Sequence, residues 1–157
     1  MSLKEEYEKR KQRREAVNYF RKNNDAFLSP EKTLLLVLAV LITSIIGALI
    51  QAIVTSGTSI RFGIIYILIA YMIYAICHRF TSFFSKKVVT IAYIGYVVAI
   101  LATPICSLAL YTGLNYLPQF LLTPSLWLSS LQNIASTNPI SWFSYILGGI
   151  ELYYLMK

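Results

Sequence analysis

Residues 88–113 read VVTIAYIGYVVAILATPICSLALYTG, a run without one charged side chain. Its length exceeds the ~20 apolar residues that a helix needs to cross a bilayer. Its small residues are not scattered. Ala92, Gly95, Ala99, Ala102, Cys106, Ala109 and Gly113 recur at spacings of 3, 4, 3, 4, 3 and 4. That is a heptad seam made of small side chains, and it predicts close, left-handed packing against a neighbouring helix. Pro104 lies within the same run. It removes one backbone donor, so it is expected to bend the helix and free the carbonyl of Ile100.

Three further stretches have the same character. They cover about 33–54, 61–78 and 140–156, with the first run at 88–112 completing four spans. The stretch 33–54 carries Ser44, Ala48 and Ala52 at spacing four, a second close-contact face. Its start is marked by Ser29, Pro30 and Glu31: a capping hydroxyl, proline at the first helical position, and an acid in the first turn. The expected fold is therefore all-α: a polytopic integral membrane protein of four transmembrane helices, residues 29–157, behind a charged arm, residues 1–28.

The charge distribution sets the direction. Only 13% of the 157 residues are charged, and mean hydropathy is +0.60. Residues 1–32 hold nine of the fourteen Lys/Arg and six of the seven Asp/Glu. With four crossings, Arg79, Lys86, Lys87 and Lys157 fall on the side of the arm, and Arg61 alone falls opposite. The Lys/Arg bias thus predicts both termini in the cytosol. The polar start is too long for a secretory leader, and no A-x-A site follows the first apolar run, so that run is expected to be retained. The arm, LKEEYEKRKQRREAVNYF, places Glu5 with Lys9 and Glu6 with Arg10 one turn apart, as a helix favours. RKNNDAF after it reads as a break. Such an arm suits anionic headgroups or a cytosolic protein partner. Its interleaved acids argue against nucleic acid.

The loop before the last span, LPQFLLTPSLWLSSLQNIASTNP, has no charge. Thr123-Pro124 repeats the capping signal, and Trp127, Leu131 and Ile134 fall at helical spacing opposite Ser125, Ser129 and Gln132. An amphipathic helix over about 124–135 is expected, lying in the outer interface with Trp127 as its anchor. It would cap the bundle or act as a lid over a pocket.

One acid follows Glu31: Glu151, in the last span. Ser141, Ser144, Gly148, Glu151 and Leu155 share one arc of a helix, so the carboxylate should face the bundle. With Lys157 at the cytosolic surface it lies ~9 Å deep. Ionisable groups in a span are functional suspects by default. An ion pair with His78 or Arg79 is expected. The alternatives are a proton- or ion-linked site formed by Glu151, Ser144 and His78, or a contact to another subunit. Tyr71, Tyr74 and His78 line one face of the second span, read as aromatic packing, with ligand contact as the alternative.

Several chemistries lack their residues. There is one histidine and no second intramembrane carboxylate for acid–base pairs, no metal-ligand cluster, no G-x-S-x-G elbow and no phosphate loop. No enzyme activity, cofactor or metal is expected, with an intramembrane lipid enzyme as a remote option. Cys77 and Cys106 read as buried, inert thiols, a disulfide between them being the alternative. The expected role is a non-enzymatic membrane component that assembles with itself or with other membrane subunits in lipid. Its seams, including Gly148 on the last span, would serve as contact faces. A small channel or transporter using Glu151 is the alternative. The Ile, Leu and Tyr content, with no N-glycosylation sequon in the outer loops, suits a bacterial inner membrane.

Overall fold

The computed structural model describes residues 8–9, 11–16, 19, 29–58, 64–81, 84–136 and 139–157. Every regular element among them is helical. The described residues of the arm are helical and exposed. The Glu5 and Glu6 pairs and the RKNNDAF break lie outside the described residues.

Helix α1 is Pro30–Thr58, α2 is Ile64–Phe80 and α3 is Lys86–Thr112. A 3-10 turn, Leu114–Tyr116, leads into the short α4, Leu117–Leu121; α5 is Pro124–Ala135 and α6 is Pro139–Met156. The Ser29 hydroxyl accepts from the Lys32 amide (3.3 Å) at the start of α1, and Ser85 accepts from the Val88 amide (3.3 Å) at the start of α3. Each cap satisfies an amide that the helix leaves without an internal partner. Gly113 ends α3 at φ 124°, a backbone state that side chains with a Cβ rarely adopt.

Two helices, Pro30–Gly57 within α1 and Lys86–Thr112, are long and apolar enough to cross a membrane. The outside of the bundle is as apolar as its inside. Ile42, Ile46 and Ile53 on α1, Ile94 and Val97 on α3, and Phe143 and Ile146 on α6 are all exposed. A water-soluble domain rarely shows so continuous an apolar surface.

Helix α1 packs on α3 along most of its length and also on α2; α6 packs mainly on α2 and touches α3. The α1–α3 contact is built from the small residues. Ser44, Ala48 and Ala52 on α1, and Ala92, Ala99, Ala102, Cys106 and Ala109 on α3, are all 0% exposed. Gly95 lies against Val40 and Ser44 of α1. With no Cβ in the way, the two backbones approach closely, which is how helices gain packing where lipid is as apolar as they are. The third helix's seam is therefore filled by the first helix of the same chain. Gly47, a quarter turn away on α1, sits over Ile69 of α2, so α1 uses one small face for each neighbour.

Helix α5 lies against α3, and the expected apolar line of Trp127, Leu131 and Ile134 does not pack on it as one face. Ser130 and Ile134 are buried, whereas Leu131 is 54% exposed. A small hydroxyl thus faces α3, and the bulky apolar side chain faces outward. Trp127 is half-buried on Ala48, Ala52, Ala102 and Cys106, and its indole N–H donates to the Leu121 carbonyl (2.9 Å). The expected Thr123 cap is not formed: its hydroxyl donates back to the Gln119 carbonyl (2.8 Å), closing α4 instead of opening α5.

Candidate functional site

Two regions concentrate polar groups: the α6 face that carries Glu151, and a cavity beneath α5.

On α6, Ser141 and Gly148 are buried while Ser144, Glu151 and Leu155 are half-buried. The fully inward line runs through Gly148, Leu152 and Met156. Successive i,i+4 steps carry it past Glu151, so the carboxylate sits at the edge of the contact rather than at its centre. The expected pair with His78 or Arg79 is not formed; among the described residues Glu151 makes no ion pair or hydrogen bond. The reason is the direction of the α2 terminus. His78 and Arg79 are exposed. The His78 ring continues the Tyr71–Tyr74 ladder, 5.8 Å from Tyr74 and 6.2 Å from Phe84 in the α2–α3 connection. Glu151, Ser144 and His78 therefore do not come together as one ion site through a Glu151–His78 contact. Ser144 and Glu151 are two helical turns apart, ~10 Å.

Beside its packing on α2, α6 is tied to α3 by hydroxyl groups that the sequence reading passed over. Tyr96 of α3 donates to the Tyr145 carbonyl (2.9 Å), and Tyr93 donates to the Gly149 carbonyl (3.2 Å). Gly148 makes this possible: a Cβ there would meet the Tyr96 hydroxyl and lie 2.8 Å from the Tyr66 carbonyl of α2. A pair of tyrosines three residues apart on one helix, with a Gly-Gly pair on another, was the available signal.

The cavity lies at the opposite end of the bundle from Glu151. It has a volume of about 180 Å³ and is lined by Gln51 and Thr55 of α1, Tyr66 of α2, Ile100, Thr103, Pro104 and Ser107 of α3, Asn133 and Ile134 of α5, and Tyr145 of α6. Elements from every part of the bundle therefore converge there. Gln51 is 1% exposed. Its amide N–H donates to the Thr55 hydroxyl (3.2 Å), and its Oε1 has no partner. An orphaned buried acceptor costs roughly 1–3 kcal/mol. Pro104 cannot donate to the Ile100 carbonyl one turn earlier, so that carbonyl lacks its usual helical donor. Thr103 and Ser107 donate their protons to the Ala99 (2.9 Å) and Thr103 (3.0 Å) carbonyls. Tyr66 and Tyr145 meet edge to face at 4.9 Å.

Cys77 and Cys106 are both buried free thiols, not a disulfide. Among the described residues, no group of three His, Cys, Asp or Glu could hold a metal ion. The chain matches no protein-family model, no curated protein and no solved structure.

Proposed function

We propose that the chain is a four-span integral membrane protein with both termini in the cytosol. In this reading it is a non-enzymatic component that assembles with itself or with other membrane subunits through the outer face of α6. Beyond α1 and α3, α2 and α6 would be spans of ~26 and ~27 Å, matched to a bilayer core of ~30 Å by modest thinning. The Lys/Arg bias supports the orientation, and the composition suits a bacterial inner membrane. The arm then lies where headgroups or a cytosolic protein can meet it.

The observation that carries the assembly reading is Glu151, a half-buried carboxylate with no partner among the described residues. A charge in a span is costly unless paired. The seams of α1 and α3 are filled from within the chain, so contact to another subunit falls to a different face. Beside Glu151, the face of Ile146, Ile150, Tyr153 and Tyr154 is exposed, with a shallow cleft formed with Tyr93 and Gly149.

Native mass spectrometry after mild-detergent purification tests this. The wild-type chain is expected as a defined oligomer or with a stoichiometric partner. Glu151→Lys is expected to weaken assembly about tenfold or more, the equivalent of ~1.4 kcal/mol, with helical content unchanged. A clean wild-type monomer would sink the assembly reading. Ion flux through a wild-type oligomer, lost in Glu151→Gln with assembly intact, would favour the channel or transporter instead.

A further inference from the structure

We infer that the cleft between the first turns of α1 and α3 is a binding site for one anionic phospholipid of the cytosolic leaflet, with Lys87 on its phosphate. The inference rests on the reading of α1 and α3 as spans with the arm in the cytosol. The two helices run side by side in the same direction. Gly95 lies against Val40 and Ser44, and residues 30–37 face residues 85–91 across the cleft. The small-residue seam of α3 begins at Ala92. One step of the same repeat earlier stands Val88, so the backbones cannot approach there as they do at Gly95. The opening that results has a volume of about 430 Å³.

The cleft is graded in polarity. At its mouth, near the starts of both helices, stand Lys87 and the Thr33 and Ser85 hydroxyls. Both hydroxyls are engaged at the caps: Thr33 donates to the Ser29 carbonyl (3.2 Å), and Ser85 accepts from the Val88 amide (3.3 Å). Lys87 is the one charged group on the wall, is exposed, and makes no ion pair among the described residues. Deeper in, the walls are Leu34, Val37, Val88 and Ile91. They extend the cleft over ~10 Å of helix, about two-thirds of a leaflet ~15 Å deep. Val88 is 0% exposed and closes the floor, whereas Leu34 is 63% exposed, so the outer side is open to a lipid chain. A free anion would leave the aliphatic wall bare. In a zwitterionic headgroup the phosphate is already opposed by the lipid's own cation. An anionic phospholipid meets both demands. Its acyl chain covers the wall, and its phosphate takes Lys87, whose long stem reaches headgroup level. Lys32 and Lys86, both exposed, add positive potential at the same end. Glu31 is the one carboxylate in the first turns of the two helices and does not line the cleft. This site shares no residue with the α6 face and stands whether or not the chain assembles.

Native mass spectrometry of the full chain, released from nanodiscs of phosphatidylglycerol and phosphatidylcholine in equal amounts, tests the site. One phosphatidylglycerol per chain is expected to be retained in preference to phosphatidylcholine. The preference should fall about fivefold in Lys87→Gln, the scale of one lysine at a headgroup. It should stay near wild type in Lys86→Gln, whose side chain does not line the cleft. Leu34→Trp keeps every charge but fills the cleft, and should lose the retained lipid. Lys87 and Leu34 are both exposed, so these variants should keep the wild-type helical content. Equal retention of the two lipids by the wild type would overturn the inference. So would equal losses in Lys86→Gln and Lys87→Gln with Leu34→Trp unaffected, the mark of diffuse surface charge. Failure of the wild type to insert into nanodiscs would sink the membrane reading and the inference with it, whereas insertion without lipid preference sinks the inference alone.

Discussion

Gly148→Ala is expected to loosen α6 from the bundle, with a net loss of about 2–3 kcal/mol in unfolding titrations in mixed micelles. The added methyl has nowhere to go. It meets the Tyr96 hydroxyl and lies 2.8 Å from the Tyr66 carbonyl. The hydroxyl can swing away only by giving up its bond to the Tyr145 carbonyl, while the carbonyl belongs to the α2 backbone and moves only with that helix. Overpacking of this kind costs ~1–3 kcal/mol, and the lost hydrogen bond adds ~0.5–1.5 kcal/mol. Against these, alanine gains up to ~1 kcal/mol over glycine in a helix. Gly149→Ala is the control. The nearest atom to its added methyl is Tyr96 Cε1 at 3.8 Å, an ordinary contact, so this variant should be neutral or slightly more stable. Gly148→Ala with Tyr96→Phe should recover only part of the loss, because the Tyr66 carbonyl remains. Equal behaviour of the Gly148 and Gly149 variants would remove Gly148 as the docking point.

The second large effect is expected at the α1–α3 contact. Gly95→Ala places a methyl against Val40 Cγ1 and 3.1 Å from Ser44 Oγ. Val40 is β-branched and helical, so one χ1 rotamer dominates and it cannot turn aside. Its surroundings are closed, with Val40 1% and Ser44 0% exposed. Gly95→Ala alone is expected to cost about 2 kcal/mol, and Val40→Ala alone to cost stability through the cavity that it leaves. The double variant removes two methyls from α1, including the one that the added Cβ meets, and adds one to α3. It should therefore be more stable than the sum of the singles predicts by at least ~1 kcal/mol, as coupled neighbours are. Additive losses would mean that α1 and α3 are not in register at Gly95.

Much of this arrangement was legible along the chain. Ser29 and Pro30 marked the start of α1, and the apolar runs placed the long helices to within a few residues, α1 continuing to Thr58. The stripe from Ala92 to Ala109 named the α3 face that is buried, because small residues at heptad spacing have few other uses in an apolar helix. Finer questions of facing were less legible. On α5, the apolar line of Trp127, Leu131 and Ile134 is split: Ile134 is buried beside Ser130, and Leu131 is exposed. In a bundle with an apolar exterior, hydrophobicity does not tell inside from outside, and side-chain size and hydroxyl bonding decide.

By itself, then, the sequence determined the helical class, the element order, the small-residue faces and the uneven placement of charge, since each depends on local composition and period. Only the tertiary structure decided that the α3 seam closes on α1 of the same chain, that Tyr93 and Tyr96 hold α6, and that Glu151 misses His78. It alone brought Gln51, Thr55, Tyr66, Thr103, Ser107 and Tyr145 around one cavity. These groups are far apart in sequence. Which of them meet depends on the rotation and register of whole helices, which no local pattern encodes.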